Sequence, residues 1–177
     1  MHSDTSGGTV SGARITPATR TLSGKAVLLV GSVGPLGYLP ASGTVTVVVV
    51  GLPLYWLSSH VPVVFYISGL VVFVAASIAI HSVGDRILGT KDSRHLVWDE
   101  LAGFFLAVCG VPFTMQTAII ALCIERLLDI TKAFPGKLVE RRLPGGWGVV
   151  ADDLVAGGYT WLIMQGLVHY RPEWIGL

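Results

Sequence analysis

The sequence predicts an all-α integral membrane bundle of about four to five spans, with a re-entrant Gly/Pro-rich element near the N-terminus. Three observations carry this. Hydrophobic residues make up 52% of the 177-residue chain and charged residues only 13%, with a mean hydropathy of +0.69. A soluble core of that size would leave too much apolar surface exposed. The acids gather at the ends of apolar runs, as Asp99-Glu100, Asp129 and Asp152-Asp153. Ionised carboxylates at a membrane boundary are costly, so a chain that keeps them has a use for them.

Residues 1–25 are rich in Ser, Thr and Gly and carry Arg14, Arg20 and Lys25. They bury too little apolar area to fold alone and read as a disordered cytoplasmic tail. Residues 26–177 read as one membrane-embedded domain, a length that fits a single core. No clean apolar core with a small-residue cleavage site marks a signal peptide. The formal net charge of +1 and the absence of basic stretches with interleaved aromatics exclude a nucleic-acid partner. Cys109 and Cys123 lie inside apolar runs, which predicts buried free thiols rather than a disulfide framework.

The elements follow in order. Ala26–Ser42 is apolar but broken by Gly31, Gly34, Pro35, Gly37 and Pro40, and reads as re-entrant. Such backbone survives in a membrane only under cover of protein or around a wet cavity. Thr44–Leu57 is too short to cross as a straight helix at about 1.5 Å per residue. Val61–Ile80 has no charge and is the clearest span. Leu101–Phe113, Met115–Ile130 and Asp153–Tyr170 are further spans, separated by polar loops at His81–Trp98 and Thr131–Val150. Basic residues concentrate in the tail and these two loops, whereas Ser58–His60 and Pro112–Thr114 carry no Lys or Arg. The N-terminus is therefore cytoplasmic, and every grouped acid lands on that side.

Asp99-Glu100 and Asp152-Asp153 each open a predicted helix, where acids favour the positive end of the helix dipole. Capping alone is the plain reading for one pair. Two pairs, each followed by a small-residue step (Leu101-Ala102-Gly103 and Val155-Ala156-Gly157), suggest helices that approach closely. Clustered carboxylates of this kind suit a hard divalent cation such as Mg²⁺, with Asp99, Glu100, Asp152 and Asp153 as ligands. Arg126 and Asp129 share a helix face at i, i+3, with Lys132 one turn further on. They read either as an ion pair with a snorkelling lysine, or as phosphate-binding Arg126 and Lys132 beside Asp129. Glu125 points to a neighbouring face.

Gly145-Gly146-Trp147-Gly148 could present backbone N–H groups to an anion. The Gly34–Thr44 segment lacks the Walker lysine, so it is no P-loop, and Ser42 and Thr44 are candidate phosphate donors. His81 ends a helix and is a candidate substrate-side acid or base, or a structural histidine. Scattered His and Cys exclude a zinc site.

At Val97-Trp98-Asp99-Glu100-Leu101-Ala102-Gly103, Arg126-Leu127-Leu128-Asp129-Ile130-Thr131-Lys132 and Gly145-Gly146-Trp147-Gly148-Val149-Val150-Ala151-Asp152-Asp153-Leu154-Val155-Ala156-Gly157 the chain resembles the phosphatidylglycerophosphatase A family. The similarity runs from about Gly31 to Tyr170. It implies a Mg²⁺-dependent, multi-pass phosphatase of the bacterial inner (cytoplasmic) membrane, with its active site facing the cytoplasm. It would hydrolyse phosphatidylglycerophosphate to phosphatidylglycerol and phosphate, in phospholipid biosynthesis. The catalytic set would be Asp99, Glu100, Asp129, Asp152 and Asp153. Arg126, Lys132, Ser42, Thr44 and His81 would hold the substrate.

The chain departs from the family pattern at Ser42, where a proline is usual, and at Glu125, where an aromatic residue is usual. It also reads Lys132-Ala133-Phe134-Pro135 in place of Lys-Pro-x-Pro, and has Val150 where methionine is common. No carboxylate is lost, but the substrate is less defined than the reaction. The alternatives are a phosphatase of the same family acting on another lipid, polyprenyl or nucleoside phosphate, or a cation-coupled carrier. Oligomeric state is not legible.

Overall fold

The computed structural model describes residues 22–132 and 134–177. Most of the predicted tail lies outside them. Among the described residues the chain is all-helical and contains no strand.

α1 (Leu22–Gly31) already includes the last residues assigned to the tail. It leads through a short 3₁₀ turn at Leu36–Tyr38 into α2 (Ser42–Thr46). A π turn at Val47–Gly51 joins α2 to α3 (Leu52–Ser58). Pro53, at the second position of α3, has no N–H to donate and crowds the preceding turn, so the helix widens there instead of continuing regularly.

α4 spans Val63–Leu88 and runs well past Ile80 into the predicted polar loop. Nothing breaks it before Gly89, whose φ of 69° ends it and lets its N–H reach the Asp85 carbonyl. α4 is also the one helix among the described residues both long and apolar enough to cross a membrane. Its most apolar window is only 6% buried, unlike the covered core helix of a soluble domain. Phe65 and Val72, each 69% exposed, stand on its open surface.

α5 (Trp98–Ala107) stops short of the predicted Phe113, because Gly110 takes φ 69° just beyond it. α6 (Met115–Ile130) has the predicted bounds. It starts at Thr114, whose hydroxyl accepts from the Thr117 N–H while the Thr117 hydroxyl accepts from the Thr114 N–H. The predicted loop Thr131–Val150 contains α7 (Gly136–Arg142) and the first turn of α8 (Gly146–Tyr170). α8 therefore begins well before Asp152-Asp153, which lie within the helix rather than opening it. Pro172–Ile175 forms a closing 3₁₀ turn.

α8 is the axis of the bundle. It packs most extensively on α5, and α4, α6 and α7 also lie against it. The core joins Val47, Tyr55, Leu101, Phe104, Val108 and Met164. Of the two free thiols, Cys109 is half-buried and Cys123 is exposed, so the predicted burial fails for the latter. In an apolar run, an exposed thiol sits on the bundle's outer surface rather than in its core.

Candidate active site

The site starts from two glycines. A Cβ at Gly157 of α8 would collide with the Gly103 carbonyl of α5, and one at Gly103 would come within 2.8 Å of the Asp153 carbonyl. The small-residue steps read from the sequence thus let α5 and α8 touch backbone to backbone. One turn before Gly103 stand Asp99 and Glu100, in the first turn of α5. One turn before Gly157 stands Asp153.

Successive residues on a helix point about 100° apart. Asp152 and Asp153 therefore leave α8 in different directions, and here they meet different partners. Asp153 turns to the α5 acids, and each of Asp99, Glu100 and Asp153 offers one oxygen within 4.8 Å of the others. Asp152 turns to Lys132 and to Gly136, where a Cβ would collide with its carboxylate. Three of the four predicted metal ligands are gathered; the fourth lies beside them on another face.

Asp99, Asp153 and Asp152 are buried, yet Asp99 Oδ1, Glu100 Oε2 and Asp153 Oδ2 have no hydrogen-bond partner among the described residues. Buried carboxylate oxygens left bare are costly unless a cation meets them. Three such oxygen donors suit a hard divalent ion that retains some of its waters. His81 is fully buried, with Nε2 3.2 Å from Asp99 Oδ1 and no aligned hydrogen bond. It backs Asp99 from inside the bundle and lines neither of the two cavities that open at the acids.

The predicted cations are held by acids. Arg126 Nε and Nη2 donate to the two Glu125 oxygens, both at 2.6 Å, and Arg126 Nη1 lies 3.4 Å from Asp129 Oδ2. Glu125 is fully buried, so the acid placed on a neighbouring face by sequence is Arg126's main partner. Lys132 Nζ donates to Glu140 Oε2 at 2.8 Å and to Asp152 Oδ2 at 2.7 Å. Burial alone would lower the Lys132 pKa, but its bonds to Asp152 and Glu140 outweigh this and raise it. The bond from Lys132 holds Glu140 below the usual glutamate range. Lys132 reaches these acids from a left-handed backbone (φ 47°), which a lysine adopts only when its surroundings hold it.

Two cavities open here. The smaller, about 270 Å³, is lined by Asp99, Glu100, Asp129, Asp152, Asp153 and Lys132, together with Asp92, Arg94 and Glu140. The larger, about 610 Å³, is walled by the Gly37–Thr44 segment and includes Ser42, Thr44, Glu100, Arg126, Arg94 and His95. Ser42 donates its hydroxyl to the Arg94 carbonyl at 2.9 Å, which ties that segment to the loop before α5. A Cβ at Gly43 would strike the Glu100 carboxylate, so the segment lies directly against the acids.

Asp92, Arg94, His95 and Glu140 were not singled out by sequence. Their signal was proximity: Asp92 to His95 immediately precede the Val97–Gly103 motif. Glu140 had no signal, since only the fold of α7 brings it to Lys132.

These features define an all-helical protein with a membrane-capable helix and an acidic, cation-ready cavity flanked by arginine and lysine. The chain belongs to the phosphatidylglycerophosphatase A family, whose model matches residues 29–168. It is 28% identical over 124 residues to the phosphatidylglycerophosphatase A of Escherichia coli, covering 68% of this chain and 71% of that one. The corresponding Haemophilus influenzae protein is 29% identical over 84 residues, 47% of this chain, and the match spans about half (52%) of that relative's length. A Bacteroides thetaiotaomicron protein, provisionally named a phosphatidylinositol-3-phosphatase, is 27% identical over 145 residues, 77% of this chain and 90% of its own. No solved structure matches.

Proposed function

We propose that the chain is a Mg²⁺-dependent lipid phosphomonoesterase that hydrolyses phosphatidylglycerophosphate to phosphatidylglycerol and phosphate. The observation that carries this is the meeting of Asp99, Glu100 and Asp153, with bare buried oxygens, in a cavity that also holds Lys132 and adjoins Arg126. Family membership supports the same reaction.

Asp99, Glu100 and Asp153 would hold Mg²⁺. Bound there, the ion supplies charge neutralisation for the phosphate and a more acidic water. Asp152 fixes Lys132 at the cavity wall, and Glu125 and Asp129 fix Arg126, so the cations are positioned before substrate arrives. Asp129 lines the smaller cavity and accepts the proton of the attacking water. The water oxygen bonds to phosphorus, the bond from phosphorus to the glycerol oxygen breaks, and that oxygen leaves with the proton that Asp129 took from the water. Catalysis rests on positioning and electrostatics, as phosphoryl transfer generally does.

The proposal includes a multi-pass arrangement of four to five spans in the bacterial inner membrane, with the acids facing the cytoplasm. The basic residues grouped at Arg86, Lys91 and Arg94 and at Lys132, Lys137, Arg141 and Arg142 support it. Reporter fusions near residues 60 and 90 test it: opposite locations are expected, and the same location for both overturns it. A second reading, the same chemistry on another lipid phosphate, draws on the Bacteroides relative's name. Phosphate release by purified protein is measured on phosphatidylglycerophosphate, phosphatidylinositol 3-phosphate and phosphatidic acid, with Mg²⁺ or with EDTA. Release chiefly from the first lipid, lost in EDTA, is expected. Preference for another lipid overturns the substrate, and activity undiminished by EDTA overturns the metal.

A further inference from the structure

We propose that Arg94 holds the substrate's uncleaved phosphodiester in the larger cavity while the terminal phosphate sits among the carboxylates of the smaller one. This deepens the proposed function and rests on it for the identity of the lipid.

The cations of the site differ in how far acids already neutralise them. Arg126 is matched by Glu125 and Asp129, and Lys132 by Glu140 and Asp152. Each is neutralised twice over before any substrate arrives, so an incoming phosphate must compete with two carboxylates. Arg94 has no ion-pair partner among the described residues, and its side chain is exposed. It also lines both cavities, sharing their common wall with Glu100 and Ile130. A guanidinium with an open fork is the group suited to bidentate phosphate binding.

The position of Arg94 is fixed even though its charge is unspent. Its carbonyl accepts from Ser42 Oγ at 2.9 Å. The neighbouring His95 has Nδ1 3.0 Å from the Gly37 carbonyl and stacks on Tyr38, with ring centres 4.7 Å apart. A carbonyl can only accept, so Nδ1 carries the hydrogen and Nε2 remains available on the far side of the ring. The loop before α5 is thus clamped to the Gly37–Thr44 wall at two successive residues, and presents Arg94 and His95 to the larger cavity.

The two cavities differ in charge. The smaller is crowded with acids and takes a phosphate only with a cation's help. The larger has Glu100 as its one acid, against Arg94 and Arg126. A headgroup bearing two phosphates joined by glycerol matches this pair: the monoester reaches the carboxylates, and the diester stays beside Arg94. A lipid with a single phosphate would leave Arg94 without a partner.

The test compares wild type, Arg94→Gln and Arg94→Lys on phosphatidylglycerophosphate and on phosphatidic acid, which has no diester. Kinetics are measured with Mg²⁺. Affinity for both lipids in detergent micelles is measured separately by calorimetry in an Asp153→Asn background, so that turnover does not consume the ligand. Losing a charge-assisted bond should raise KM and Kd for phosphatidylglycerophosphate about tenfold or more in Arg94→Gln, with a much smaller change in kcat. Arg94→Lys, which keeps the charge without the fork and serves if the glutamine variant does not fold, should show a smaller loss. Phosphatidic acid affinity should be unaffected by either. Equal losses for both lipids, or none for phosphatidylglycerophosphate, overturn the assignment. An inactive wild type whose affinity still depends on Arg94 would sink the proposed activity and spare Arg94. An active wild type indifferent to Arg94 would do the reverse.

Discussion

Gly157 of α8 lies against the carbonyl of Gly103 in α5, with no room between them for a methyl group. This contact sets the separation between Asp153 and the Asp99-Glu100 pair. Gly157→Ala must push the helices apart, at a cost of about 1–3 kcal/mol for overpacking. Gly158, its neighbour, has open space around its Cα, so Gly158→Ala should be neutral or gain up to about 1 kcal/mol in helix propensity. Thermal unfolding in detergent with parallel phosphate release checks this. Activity should fall in the first variant and persist in the second.

Asp152 and Asp153 are adjacent in sequence but face different partners, and their asparagine variants should separate. Asp153→Asn removes a triad oxygen and should lower activity by at least about a hundredfold, the upper end of what losing an outer partner of a metal ligand costs. It should also raise the Mg²⁺ concentration needed for half-maximal rate. Asp152→Asn leaves Lys132 its bond to Glu140, so the Mg²⁺ requirement should shift less than in Asp153→Asn. A Mg²⁺ titration of both variants reads the difference, and identical shifts would contradict two separate roles.

Glu125 is fully buried and doubly bonded to Arg126. Glu125→Gln keeps the shape but loses the charge, leaving one guanidinium donor facing an amide N–H₂. The expected loss is about 1–3 kcal/mol of stability, the cost of an unsatisfied buried partner. Denaturant or thermal unfolding measures it; a change within a few tenths of a kcal/mol would show that Asp129 alone suffices for Arg126.

Glu140 supplies a pH dependence whose sign is determined. Its bond to Lys132 holds its folded pKa below the usual glutamate value. The stabilisation is therefore present above the unfolded-state pKa and lost as pH falls through the folded one. Glu140→Gln should cost no more than about 1 kcal/mol at neutral pH, since the pair is partly exposed. That difference from wild type should close in the acid range. Paired melting curves at neutral and acid pH test it, and a gap that widens on acidification would reverse the sign.

Several features are legible in the sequence alone. The bounds of α6 followed from a long apolar run ending in Glu125, Arg126 and Asp129. The Gly103 and Gly157 steps announced a close helix crossing, because small residues after each acid pair have no other evident purpose. Other features were misjudged for local reasons. α4 outran its apolar stretch because helix continues until something stops it, and the stop is Gly89. The glycines at 145–148 read as a turn that would let Asp152-Asp153 open a helix, whereas only Gly145 lies outside α8.

By itself, the sequence determined the class of protein, the all-helical fold and the residues able to carry the chemistry. The fold follows from composition and periodicity, and the class and the candidate residues from the resemblance of three motifs to a known family. Only the tertiary structure decided which acids share a cavity, that Asp152 serves Lys132 while Asp153 joins Asp99 and Glu100, and that Arg94 has no ion-pair partner among the described residues. The reason is geometric: neighbours on a helix diverge by about 100°, so partnership depends on which helices pack at that level, and spacing along the chain does not record it.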